Sequence, residues 1–245
     1  MLLGEPARTQ ADLNFSLFGI PVRVHPFFWL ISVLLGASNN DVRGLLSWVV
    51  AVFVSILLHE LGHALVMRVF GFRPSITLYG MGGFASYNDS SGYGSAQLHP
   101  LRQILICLAG PGAGFLLAAA VVGAVVLSGR PVALNGPWIV TGPIGSFAFT
   151  LFIGQLLFIN ILWGLVNLLP VYPLDGGQIA REILLQINAR EGIRLSLMLS
   201  VFTAVAMAVY GLTQWQSVWV ALLFGYMAYT SYTTLQAYSG RGRWQ

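Results

Sequence analysis

A chain of 245 residues that is 56% hydrophobic and only 8% charged cannot cover a water-soluble surface, since soluble domains carry roughly 25% charged residues. The net charge of +4 comes from 12 basic residues, all arginine, scattered through the loops with no basic stripe, which argues against a nucleic-acid partner. The single cysteine, Cys107, excludes an internal disulfide and reads as a small packing residue in an apolar helix.

Residues 1–14 carry Glu5, Arg8, Gln10 and Asp12 and lack an apolar run, so no cleavable signal peptide is expected. The first apolar segment, 26–37, is short against the roughly 20 residues that a spanning helix needs, and is expected to be tilted or interfacial. The second, 44–70, holds His59-Glu60-Leu61-Gly62-His63. On a helix, residues four apart lie about 40° apart around the axis, so both imidazoles can grip one zinc ion. Glu60 can take a proton from metal-bound water without ligating. Gly62 costs about 1 kcal/mol in a helix relative to alanine, and its bare backbone would let another element approach the site. A charged group in mid-bilayer costs about 2.5–3.5 kcal/mol; one metal is a common compensation for three ionisable residues so close together. His59 follows Gly44 by about 15 residues, roughly 22 Å of helix, which sets the site in one half of a membrane core roughly 30 Å thick.

Beyond this helix, Ile76-Thr77-Leu78-Tyr79, the glycines from Gly80 to Gly83, and Phe84-Ala85-Ser86-Tyr87 read as two short strands around a turn. Residues 88–97 are polar, rich in Gly and Ser, and expected to be mobile. The third membrane segment, 101–127, contains Ala109-Gly110-Pro111-Gly112-Ala113-Gly114, in which Gly110 and Gly114 form a GxxxG suited to close helix packing.

The fourth segment, 144–169, carries Gln155 and Asn160, which suit interhelical hydrogen bonds, and Asn167, which could donate to a carbonyl oxygen gaining charge. Pro170 and Pro173 then break the helix. A catalytic zinc takes three protein ligands and one water. His25 and His99 each precede a proline near a membrane boundary and suit a plain interfacial role; Asp175 is the better third ligand, although Asp-Gly-Gly-Gln could also cap a helix. That helix, 178–189, reads as amphipathic and interfacial. Two last membrane segments follow at 195–212 and 218–235. All arginines except Arg43 and Arg130 then fall on one side, which by the positive-inside rule makes both termini cytoplasmic. The fold expected is an all-α polytopic membrane protein of about six transmembrane helices, with a short membrane-associated β-hairpin between the second and third. It is a single domain over 1–245 with a core at 22–189 and two further helices within 195–235.

HELGH in the second segment and Asn167-Leu168-Leu169-Pro170-Val171-Tyr172-Pro173-Leu174-Asp175-Gly176, at the end of the fourth, resemble the two signatures of the site-2 protease family of intramembrane metalloproteases. The resemblance covers about 22–189 and looks most like the compact sporulation-protease form, without an inserted PDZ or a C-terminal CBS domain. It implies that His59, His63 and Asp175 bind one zinc ion per chain, that Glu60 activates water, and that Asn167 orients the substrate or holds the oxyanion. It also implies that the hairpin of 76–87 (Ile76, Thr77, Leu78, Tyr79, Gly80 and Phe84) dips into the membrane and pairs with an unwound substrate. Members often carry asparagine after the Ala-Gly-Pro; glycines and alanine stand there in this chain, which removes the basis for that contact but not for the metal site.

The function expected is a zinc endopeptidase of bacterial or archaeal membranes, cutting transmembrane or signal-peptide-like segments near the cytoplasmic side. Its partners would be a membrane-spanning protein substrate and the lipid bilayer, with a regulatory membrane partner or a homo-oligomer as further possibilities. A zinc transporter or metal-binding scaffold is the rival; Glu60 has a role in hydrolysis and none in transport, and nothing polar enough to pass an ion crosses the outer half of the second or fourth segment.

Overall fold

A computed structural model of the chain describes residues 7–36, 41–80, 82–87, 99–135 and 138–241. Two strands open it, β1 (Leu13–Leu17) and β2 (Ile20–Val24). Phe18 and Gly19 join them with φ of 51° and 76°, the left-handed pair that a two-residue hairpin turn requires. Helix α1 (Pro26–Leu35) follows, then α2 (Val42–Val69), β3 (Pro74–Tyr79), β4 (Gly82–Tyr87) and α3 (Pro100–Leu127). A second hairpin, β5 (Val132–Asn135) and β6 (Trp138–Thr141), precedes α4 (Phe147–Phe158). Helix α4 runs through a π-helical turn, Ile159–Trp163, into α5 (Gly164–Asn167). Last come α6 (Asp175–Ile187), α7 (Gly192–Thr213) and α8 (Val218–Arg241).

Among the described residues, four helices are long and apolar enough to cross a membrane: Val42–Val69, Pro100–Leu127, Phe147–Asn167 and Gly192–Thr213. Six segments are expected from the sequence. The difference lies in α1, whose 10 residues reach only about 15 Å, and in α8, whose second half carries Thr230, Ser231, Thr233, Thr234 and Gln236. The chain is mostly helical and the expected hairpin is present as β3 and β4, while β1, β2, β5 and β6 are strands that were not expected. One sheet has the order β1-β2-β3-β4 and the other pairs β5 with β6. The Gly/Ser-rich stretch 88–97, expected to be mobile, lies outside the described residues, as does Met81.

The chain divides into two compact units, Met1–Ala96 with Ala109–Gly164, and Gln97–Leu108 with Leu165–Gln245. In the first, β2 and β3 run parallel, with Val22 opposite Ile76 and Val24 opposite Leu78. Their side chains Ile20, Val22, Val24, Ile76 and Leu78 bury against Phe28 of α1 and Ala51, Val52, Leu61 and Ala64 of α2. The start of α1 is set by Pro26 at its first turn and by His25, whose Nδ1 accepts from the Phe27 N–H at 3.1 Å. Arg23 on β2 is buried through an ion pair with Asp12 at 3.3 Å. The Thr9 hydroxyl donates to Asp12 at 2.6 Å; that bond first, then the Thr9 backbone N–H and the Arg23 charge, holds the Asp12 carboxyl below its ordinary value.

Polar ties fasten α2 to α4 and its π turn. Ser47 donates to Gln155 Oε1 at 2.6 Å, and Gln155 Nε2 donates to the Gly44 carbonyl at 3.3 Å. Asn160 Nδ2 donates to Ser55 Oγ and to the Leu156 carbonyl, both at 2.8 Å. Apart from the Leu156 bond, which lies within the helix, these are the interhelical bonds that buried amides make where no water competes.

In the second unit α7 and α8 form a helical hairpin, and a Cβ on Gly211 would stand 2.7 Å from Val220 Cγ1 across its turn. Val171 and Leu174, from the loop before α6, bury against Ala204 of α7 and Phe224, Met227 and Ala228 of α8.

Candidate metal centre

Helix periodicity stacks His59 and His63 on one face of α2, both buried, with their Nε2 atoms 3.1 Å apart and their rings nearly perpendicular at 82°. Two nitrogens bound tetrahedrally to zinc at about 2.0–2.1 Å stand about 3.3 Å from each other, so the imidazoles are close to the separation that one ion demands. Gly110 of α3 keeps that space open. A Cβ there would fall onto His63 Nε2 and stand 2.8 Å from His59 Nε2. The cradle thus fits a metal ion, and a methyl group would fill it.

Glu60 is buried beside the pair. Gly83 of β4 lies against its carboxylate, where a Cβ would be 2.5 Å from Cδ and Oε1. Gly62 meets α3 just as closely, with a Cβ 2.9 Å from the Ala109 carbonyl carbon and from Ala113 Cβ. The expected packing use of Gly110 and Gly114 is also present: a Cβ on Gly114 would be 3.2 Å from Asn160 Oδ1.

In the second unit, Asn167 is buried at the end of α5 and Asp175 is buried in the first turn of α6. Leu174 holds the N-cap position, so Asp175 does not cap the helix by the Asp-Gly-Gly-Gln pattern. The positive end of the helix dipole favours a carboxylate there. Two glycines after it are required by close approach. A Cβ on Gly176 would lie 2.5 Å from the Leu169 carbonyl oxygen, and one on Gly177 would lie 2.5 Å from the Val171 carbonyl.

Among the described residues, His59, His63 and Asp175 form a group that could bind a metal ion. Two imidazoles and one carboxylate are also the donor set of a catalytic rather than a structural zinc, since three protein ligands leave a position for water. The other histidines do different work. His25 caps α1, and the His99 carbonyl accepts from the Arg102 N–H at 2.8 Å at the start of α3.

The hairpin residues divide by position. Ile76, Thr77 and Leu78 are buried on β3, an inner strand paired on both sides. Tyr79 stacks against His25 and Phe27 at 5.3 and 5.5 Å, and Gly80 packs on α1, where a Cβ would be 2.5 Å from Phe27 Cε1. Among the described residues β4 pairs with β3 alone, and its Phe84 is 52% exposed. Within this hairpin the edge strand is therefore β4, the strand that also lies on Glu60. Sequence reasoning did not assign Gly110 or Gly83 to the site; both stand in glycine-rich stretches whose contacts only the fold reveals.

Comparison with known proteins gives a consistent answer. Residues 47–210 match peptidase family M50. A zinc metalloprotease of Methanocaldococcus jannaschii is 30% identical over 175 residues, covering 69% of this chain and 44% of that protein. Stage IV sporulation protein FB of Bacillus subtilis is 28% identical over 164 residues, covering 65% of this chain and 46% of that protein. The chain thus spans a little under half the length of these curated relatives. In structure it resembles the site-2 protease of M. jannaschii, with a TM-score of 0.57 at 22% identity, over 91% of this chain and 94% of that one. That likeness speaks to the fold.

Proposed function

The chain belongs to peptidase family M50, and from that membership we propose that it is one membrane-embedded zinc endopeptidase domain that cuts transmembrane or signal-peptide-like segments of membrane proteins near the cytoplasmic side. The observation that carries the reading is the buried His59–His63 pair facing the Gly110 cradle in an apolar helix, with Glu60 beside it. His59 Nε2, His63 Nε2 and a carboxylate oxygen of Asp175 would hold the ion. When bound, zinc acts as a Lewis acid and lowers the pKa of its water to about 7.

The chain's own residues supply the rest. Glu60 accepts the proton of the attacking water on its carboxylate and returns it to the nitrogen of the leaving amine. The Gly83 backbone, packed on that carboxylate, limits its rotamers and keeps it aimed. The Asn167 side-chain amide donates to the substrate carbonyl oxygen as that atom gains charge. A peptide bond inside a helix is shielded by its own hydrogen bonds, so the substrate must unwind before attack. The free edge of β4 then replaces the lost backbone bonds by strand addition, as a membrane interior requires. In this reading α1 and α8 are two further membrane segments beside the four long helices, and the arginine distribution supports cytoplasmic termini.

The test is hydrolysis of a model single-span substrate by purified protein in detergent, with the cut located by mass spectrometry. The expected product is cut within the membrane segment, disappears with a zinc chelator and returns when zinc is added back. A chelator-insensitive cut, or one confined to the soluble flanks, contradicts the proposal.

A further inference from the structure

The stretch Leu168–Leu174, between Asn167 and Asp175, is irregular backbone in apolar surroundings, where each polar group needs a partner. It satisfies nearly all its donors locally. The N–H groups of Leu168, Leu169, Val171 and Leu174 donate to the carbonyls of Leu165, Val166, Leu169 and Val171, at 3.2, 3.1, 2.7 and 2.8 Å. Pro170 and Pro173 have no N–H to place. Tyr172 turns to side chains of two other helices for both of its backbone groups. Its N–H donates to Ser200 Oγ at 3.0 Å, and Ser231 Oγ donates to its carbonyl at 3.4 Å.

These serines lie on different helices, Ser200 on α7 and Ser231 on α8, and are 2% and 0% exposed. Each continues the helix face that packs on the loop. Ser200 lines up with Ala204 and Ala208, and Ser231 with Phe224, Met227 and Ala228, around Val171 and Leu174. The first turn of α6 rests on the same point, because a Cβ on Gly177 would stand 2.6 Å from the Tyr172 nitrogen. Gln178 Nε2 adds a bond to the Pro173 carbonyl at 3.4 Å. A shift of Tyr172 therefore carries the start of α6, and Asp175 with it.

We infer that Ser200 and Ser231 are positioning residues that clamp the Tyr172 backbone between α7 and α8 and thereby fix the Asp175 carboxylate for metal binding. The inference rests on the proposal that Asp175 is a zinc ligand. Groups that orient a ligand typically affect metal affinity 10- to 100-fold when removed, although neither serine reaches the metal.

The experiment is competition for zinc between the full-length, zinc-loaded protein in detergent and a chromophoric chelator. Ser200→Ala, Ser231→Ala, their double variant and Asp175→Asn are compared with Ser196→Ala. Ser196 is a buried serine one turn away on α7 whose hydroxyl donates to the Ile193 carbonyl within the helix at 2.8 Å. Asp175→Asn should weaken zinc most and the double serine variant by about tenfold, with Ser196→Ala within about twofold of wild type. Ser200→Cys, similar in size but a poorer partner, should lie between wild type and Ser200→Ala, and serves where the double variant does not fold. The gain in thermal midpoint on loading zinc should shrink in the same order. If Asp175→Asn loosens zinc while the serine variants behave like Ser196→Ala, the clamp is wrong and the ligand assignment stands. The same holds if the metal-free midpoints of the serine variants fall but the gain on loading is unchanged. If Asp175→Asn leaves zinc affinity intact, the ligand assignment fails and the clamp with it.

Discussion

Gly110 and Gly83 do their work through the methyl group they lack. The space beside both imidazole Nε2 atoms exists because nothing projects from Gly110, and the Glu60 carboxylate fits because nothing projects from Gly83. Forcing extra atoms into a packed site costs about 1–3 kcal/mol. Gly110→Ala should therefore weaken zinc about 10- to 100-fold, read by chelator competition. Gly83→Ala should leave zinc content unchanged and lower kcat by a similar factor, because the displaced group is the proposed base. Equal loss of zinc in both variants would contradict this separation of roles.

At the scale of elements, α2 and the π turn at Ile159–Trp163 are joined by the Asn160–Ser55 bond. Asn160→Ala and Ser55→Ala should each lower stability by about 1 kcal/mol, with a coupling of about 0.6 kcal/mol, as for other buried hydrogen bonds between membrane helices. Unfolding titrations in mixed micelles measure both; a coupling of zero would remove the bond from the account. The sequence made α2, α3 and α7 readable because long apolar runs leave few alternatives, and it made the histidine pair readable because HExxH carries its geometry in its spacing. The strands were harder. β1 alternates Leu13, Phe15 and Leu17 with polar residues, but at 5 residues it is short, and β2 contains Pro21 and Arg23. Arg23 is tolerated because Asp12 neutralises it, which no local pattern reveals. β5 and β6 did leave a signal, Gly136-Pro137 between two apolar runs, a dipeptide that marks turns. The roles of Gly110, Gly83, Ser200 and Ser231 had no local signal, since each depends on a contact distant in sequence.

Across the whole molecule, the arginine asymmetry predicts an orientation. Reporter fusions to either terminus should be active only in the form that reports the cytoplasm, and a fusion after Ser128 or Gly129 should report the opposite side. Termini on opposite faces would mean an odd number of crossings and would move α1 or α8 out of the membrane.

The most direct test of the central claim compares wild type with Glu60→Gln for cleavage of a single-span substrate, with zinc assayed in both. Glu60 is assigned to move the proton and not to hold the ion. The variant should thus keep about one zinc per chain, the stoichiometry of a single three-ligand site, and give no product. Cleavage surviving in Glu60→Gln, or zinc lost along with activity, would contradict that assignment.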